Sequence, residues 1–140
     1  MIYYHQEETS FQIKSKLAIR KWVNAAITEE RLKPGDINYI FCSDQYLLEL
    51  NRSSLNHDYY TDIITFDYCD QDFVSGDLFI SIDRVADNAN QLGSNFLDEL
   101  HRVMIHGVLH LCGYKDKSKK EEQIMRKKED YYLNLRSFSS

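Results

Sequence analysis

Apolar positions along the chain change period several times, and each change marks an element. A short apolar start at residues 2–4 is followed, across residues 11–29, by Phe11, Leu17, Ala18, Val23 and Ile27 at approximately helical spacing. That pattern predicts a helix ending before a turn at Lys33, Pro34 and Gly35. Residues 37–42 are apolar and aromatic and read as a strand, and Ser43 and Asp44 can cap a helix running to about Asn51. After a loop through Asp58, residues 61–68 and 77–82 are rich in β-branched and aromatic types, with Ser75 and Gly76 as the expected hairpin turn. Helices are then expected over 83–91, 95–111 and 118 to about 133, broken at Gly93 and at residues 113–117. The predicted class is α+β, a small four-stranded mixed sheet covered by helices, in one domain over residues 1–140.

The helix over 95–111 carries the candidate chemistry. At 100° per residue, Leu97, Leu100, Met104, Val108 and Leu111 form one apolar stripe, while Glu99, Arg102, His106 and His110 fall on the opposite side. Val103, Ile105 and Leu109 are apolar too, so this helix has too little polar surface to lie exposed. It is predicted to run through the core, with its histidine face lining a cleft. Histidines four residues apart sit one turn apart on one face, where both imidazoles reach a single cation. Gly113 is placed to end the helix in the left-handed conformation and return the chain, which brings Asp116 over His110. His106, His110 and Asp116 thus have the layout by which a helix and its return loop offer three ligands to one zinc ion per chain. Three protein ligands leave a fourth position for a water whose pKa falls to about 7. A zinc protease of this layout carries Glu directly after the first histidine; Gly107 stands there and cannot move a proton.

Composition narrows the setting. Seventeen Lys and Arg against twenty-two Asp and Glu give a net charge of -5, which argues against coating nucleic acid by bulk charge. Two basic stretches stand out nonetheless: Lys14, Lys16, Arg20 and Lys21, and the lysine-rich run from Lys115 to Lys128. Cys42, Cys69 and Cys112 are odd in number and form no C-x-x-C, which fits neither a disulfide framework nor a zinc ribbon and suits a reducing cytoplasm. No apolar run approaches a membrane span, and the first residues lack the pattern of a secretory signal, so no membrane partner is expected. The sequence is silent on oligomeric state.

The stretch HGVLHLCGY at residues 106–114 resembles the hallmark of the YbeY family. The resemblance extends to the family's Thr-Asp-x-x-Ser/Thr-Phe strand, matched by Thr61, Asp62, Thr65 and Phe66, and to its Gly-Asp strand start, matched by Gly76 and Asp77. It covers roughly residues 50–116. It implies a cytoplasmic, zinc-dependent endoribonuclease specific for single strands, which matures the 3′ end of small-subunit ribosomal RNA, takes part in ribosome quality control, and has the ribosome and its assembly factors as partners. Asp62 and Asp77 become catalytic candidates through this match, and Arg102 is a third, as a cation near the histidines. Two positions depart from the family pattern: Asp116 stands where a third histidine is common, and Leu55 where an arginine is common. Either a nearby cation such as Arg52, Arg102 or Lys115 substitutes, or catalysis in this protein is weaker or differently built. Two other readings compete: a non-catalytic ribosome assembly factor with a structural metal, supported by Leu55, and a zinc-dependent peptidase-like hydrolase, disfavoured by Gly107.

Overall fold

The computed structural model describes residues 1–138. In chain order the elements are β1 (Ile2–Glu7), α1 (Lys16–Glu29), β2 (Lys33–Cys42), α2 (Asp44–Leu55), β3 (Ile63–Asp67), β4 (Phe73–Ser81), α3 (Ile82–Leu92), α4 (Phe96–Leu111) and α5 (Lys119–Asn134). The strands form one mixed sheet in the order β1-β2-β4-β3, parallel from β1 through β4 and antiparallel between β4 and β3. This is the α+β class expected. Among the described residues no helix is long and apolar enough to cross a membrane.

Alternation along the strands sorts their side chains onto two faces. Tyr39, Leu78 and Ile80 belong to the main core, where α1, α4 and α5 pack. Cys42, Ile64, Phe66 and Phe79 turn the other way into a smaller cluster under α2. Helix α4 is the keystone of the main layer: Leu100, Met104, Ile105, Val108 and Leu109 are fully buried, and the Tyr39 hydroxyl donates to the Met104 carbonyl across 3.1 Å. Burying one such Leu or Met side chain contributes about 1.5–3 kcal/mol.

Three local expectations are corrected. The first helix begins at Lys16, not near residue 11, because Phe11 and Ile13 pack on the core from irregular chain, with Phe11 edge-on to Phe41 and Phe96. The turn after α1 falls at Arg31, with φ 66°, so that Lys33 and Pro34 already pair with Phe73 and Val74 on β4, ahead of an irregularity before Ile37. The hairpin between β3 and β4 turns not at Ser75 and Gly76 but at Gln71 and Asp72, closed by hydrogen bonds in both directions between Asp70 and Phe73. Gln71 takes φ 53° there. Gly76 lies inside β4 because a Cβ would sit 2.5 Å from the Phe66 carbonyl oxygen, a reason of space.

Candidate metal centre

Helix α4 starts under an Asn95 cap, whose side chain accepts from the Asp98 backbone N–H at 2.8 Å. Midway, Gly107 lets it press onto the sheet: an added Cβ would meet Ile63 Cδ1 at 2.8 Å and both Leu78 methyls at 3.1 Å. At its end the Gly113 N–H reaches the His110 carbonyl and the Tyr114 N–H the Leu109 carbonyl, both at 3.0 Å, with Gly113 at φ 108°. This paired closure reverses the chain and needs a residue that tolerates the left-handed region. The next helix fixes the far end of the return loop, since Ser118 and Glu121 cap α5 reciprocally at 3.1 and 2.9 Å.

Between these two caps Asp116 is brought back over the helix. Its Oδ2 lies 3.3 Å from Nε2 of His106 and 3.3 Å from Nε2 of His110. The three residues form a group whose donor atoms all lie within 4.8 Å of one another and which could hold a metal ion. Ligands about 2.0–2.1 Å from a tetrahedral ion stand about 3.3 Å apart, so the spacing found suits zinc, as do two imidazoles and a carboxylate.

Each imidazole is held from behind through its other nitrogen. His110 Nδ1 lies 2.9 Å from the Tyr114 carbonyl oxygen, an acceptor, so Nδ1 carries the proton and Nε2 keeps its lone pair. His106 Nδ1 lies 2.6 Å from Glu129 Oε2 on α5; the other oxygen of Glu129 accepts from Arg102 at 2.8 Å, and Arg102 also reaches Asp130 at 2.7 Å. Burial works against the charged form of His106, but the hydrogen bond and charge of Glu129, with Asp116 and Asp62, raise its pKa on balance. Burial likewise opposes ionisation of Glu129, yet His106 and Arg102 bring its pKa below the ordinary value. Tyr114, whose carbonyl orients His110, is itself tied down by its hydroxyl, which donates to Glu30 at 2.6 Å.

The histidines and Asp116 face a cleft of about 600 Å³, lined also by Asp62, Leu55 and Lys117. Burial raises the pKa of Asp62, and the charge of His106 offsets this only in part. Of the three catalytic candidates, then, Asp62 shares the cleft with the histidines. Arg102 stands behind the site, bound to Glu129 and Asp130. Asp77 alternates with the core-facing Leu78 and accepts from Asn38 at 3.2 Å, on the other face of the sheet from α4. Of the cations that could stand in for the family arginine, Arg52 pairs with Glu49 and Asp58, and Lys117 rather than Lys115 lines the cleft. Sequence reasoning missed Glu129. A signal existed: Met125, Glu129, Tyr132 and Leu133 form the buried stripe of α5, and a carboxylate in an apolar stripe calls for a partner.

Comparison with known proteins gives a consistent picture. A profile described as Endoribonuclease YbeY matches residues 1–136. The chain is 53% identical over 138 residues to the Endoribonuclease YbeY of Cytophaga hutchinsonii, covering 98% of this chain and 96% of that one. It is 49% identical over 133 residues to the protein of the same description from Bacteroides thetaiotaomicron, covering 95% and 97%. Among solved structures, it resembles the solution structure of a Thermotoga maritima protein with a TM-score of 0.68 at 27% identity, over 96% of this chain and 87% of that one.

Proposed function

The chain belongs to the YbeY family of endoribonucleases, and on that premise we propose that it is a zinc-dependent enzyme cutting single-stranded RNA in 3′-end maturation of small-subunit ribosomal RNA and in ribosome quality control. On this reading residues 1–140 act as one domain in the cytoplasm, with the ribosome and its assembly factors as partners. The observation that supports it best is the convergence of His106 Nε2, His110 Nε2 and Asp116 Oδ2, 3.3 Å from nitrogen to oxygen, in a cleft that also holds the half-buried carboxylate of Asp62.

When bound, one zinc ion supplies Lewis-acid activation of water and polarisation of a phosphoryl oxygen. The rest falls to the chain. Glu129 and the Tyr114 carbonyl hold the two rings so that both Nε2 lone pairs face the same point. Asp62 is the cleft carboxylate assigned to moving a proton, and Lys117 the cation assigned to a substrate phosphate. Leu55 in the cleft wall favours one second reading, an assembly factor whose metal only holds the return loop.

Metal content of wild type, His106→Ala and Asp116→Ala, with RNA cleavage measured on the same samples before and after chelation, separates these readings. About one zinc per chain, lost in both variants together with a chelator-sensitive cleavage, is expected. Zinc without cleavage favours the assembly factor, and cleavage of casein instead of RNA would establish a peptidase.

A further inference from the structure

The loop between α2 and β3 builds a second feature into the same cleft. His57 and Tyr59 both line it, together with the three metal-site residues. Their rings stack on each other, with centroids 5.2 Å apart and planes 20° from parallel, and the Tyr59 hydroxyl lies 3.0 Å from His57 Nδ1. Tyr59 remains 56% exposed despite this stack. The two rings thus contact each other, and both residues remain open to solvent.

The loop is held firmly. Asn56 ends α2 in the left-handed conformation, with φ 55°, and the backbone N–H of His57 reaches the Asn51 carbonyl at 3.1 Å. The side chain of Asn51, 1% exposed, donates to the Tyr59 carbonyl at 2.9 Å. Arg52 and Asp58 pair at 2.5 Å on one side, and the Tyr60 ring sits 5.0 Å from the Arg84 guanidinium on the other. An aromatic pair exposed on a fixed loop forgoes apolar burial, and its geometry is ready for a flat partner without loss of loop entropy.

We propose that the His57–Tyr59 pair is a base-stacking subsite, which takes one nucleobase of single-stranded RNA next to the phosphodiester held at the metal centre. This rests on the endoribonuclease reading and adds to it a contact blind to base identity, since every base has a π-face. Such a contact requires an unpaired base, because a base inside a duplex has both faces covered. The subsite therefore selects for strandedness without reading sequence.

The test is a cycle between protein and substrate. Wild type, Tyr59→Ala and Tyr59→Phe are assayed on short single-stranded RNAs, intact or with one abasic position moved stepwise along the strand, alongside zinc content and thermal melting. Tyr59→Ala is expected to raise KM about tenfold with zinc content unchanged. At one position the abasic RNA costs wild type the same factor, and the two losses do not add. Tyr59→Phe keeps the ring and stays close to wild type on intact RNA. If Tyr59→Ala cleaves with the wild-type KM, or if the two losses add in full at every position, the subsite is refuted while the endoribonuclease reading stands. If wild type leaves all these RNAs uncut, the reading beneath the proposal fails and takes the subsite with it.

Discussion

Replacing Glu129 by glutamine isolates the carboxylate behind His106. The substitution keeps the size of the side chain and an oxygen able to accept from His106 Nδ1, but removes the charge that sits 2.6 Å from that nitrogen. Glu129 is 5% exposed, so the lost interaction is poorly screened. Arg102 keeps its 2.7 Å contact with Asp130 and is not left without a partner. With its oxygen kept on His106, the glutamine turns its NH2 toward Arg102, which gives up the 2.8 Å bond to Glu129 and rests on Asp130, and the imidazole becomes less basic and less firmly oriented. Losing such an outer partner costs about 10–100-fold in metal affinity, or about 1.4–2.7 kcal/mol. Because the amide can still accept one hydrogen bond, the lower end, about tenfold, is expected for Glu129→Gln. The assay is competition for zinc between metal-depleted protein and a chromophoric chelator, with Asp130→Asn as the control that touches Arg102 but not His106. Zinc affinity within twofold of wild type for Glu129→Gln would refute the orienting role. An equal loss in Asp130→Asn would show that the effect runs through Arg102 instead.

Three further outcomes follow from the packing. His101, buried beside Trp22 and Phe138, accepts from Arg136 at 2.8 Å; burial first and Arg136 next lower its pKa to about 4, with Asp98 pulling the other way. Below about pH 6.5 the unfolded chain takes a proton that the folded chain refuses until about pH 4, so stability falls across that window as pH drops. Between pH 7 and pH 5 this amounts to about 2 kcal/mol, and the unfolding free energy of His101→Gln from urea titration should fall by that much less than wild type's; parallel losses would contradict it. Gly76→Ala is expected to destabilise the fold by about 1–3 kcal/mol, since the new methyl meets the Phe66 carbonyl; an unchanged urea midpoint would mean that the strands give way freely. Ser118→Ala should cost about 1 kcal/mol by opening the cap of α5, read as a lowered melting temperature, and an unaltered melt would show the cap to be idle.

What could be read from the sequence was local, and what could not was long-range. The heptad-like apolar stripe of α4, the histidines one turn apart and the glycine after them are separated by no more than a helical turn or a reversal, so spacing alone foretold how Asp116 returns. Glu129 lies 23 residues beyond His106, and only the docking of α5 brings them together. The strand order was hidden for the same reason: nothing within β1 says that it pairs in parallel with β2. Gly76 shows a different limit. A glycine between two strand-like segments reads as a turn, but here it answers to a carbonyl on the neighbouring strand. The turn itself fell to Gln71 and Asp72, a pair without the usual glycine or asparagine signature.

The place of α4 in the chain has a consequence for synthesis. The last strand closes at Ser81, but the helix that buries the inner face of β3 and β4 is complete only at Leu111, thirty residues later. At roughly 5–20 residues per second, a ribosome making this protein leaves Leu78 and Ile80 uncovered for about 2–6 s. Nascent chains halted far enough on for β4 but not α4 to have emerged should accordingly be captured by hydrophobic-binding chaperones, and chains halted far enough on for α4 to emerge should be released. Two of the residues proposed to hold the metal, His106 and His110, arrive on the same helix that ends this exposure and Asp116 follows five residues after it, which makes the chain's most vulnerable interval the one just before it becomes able to act.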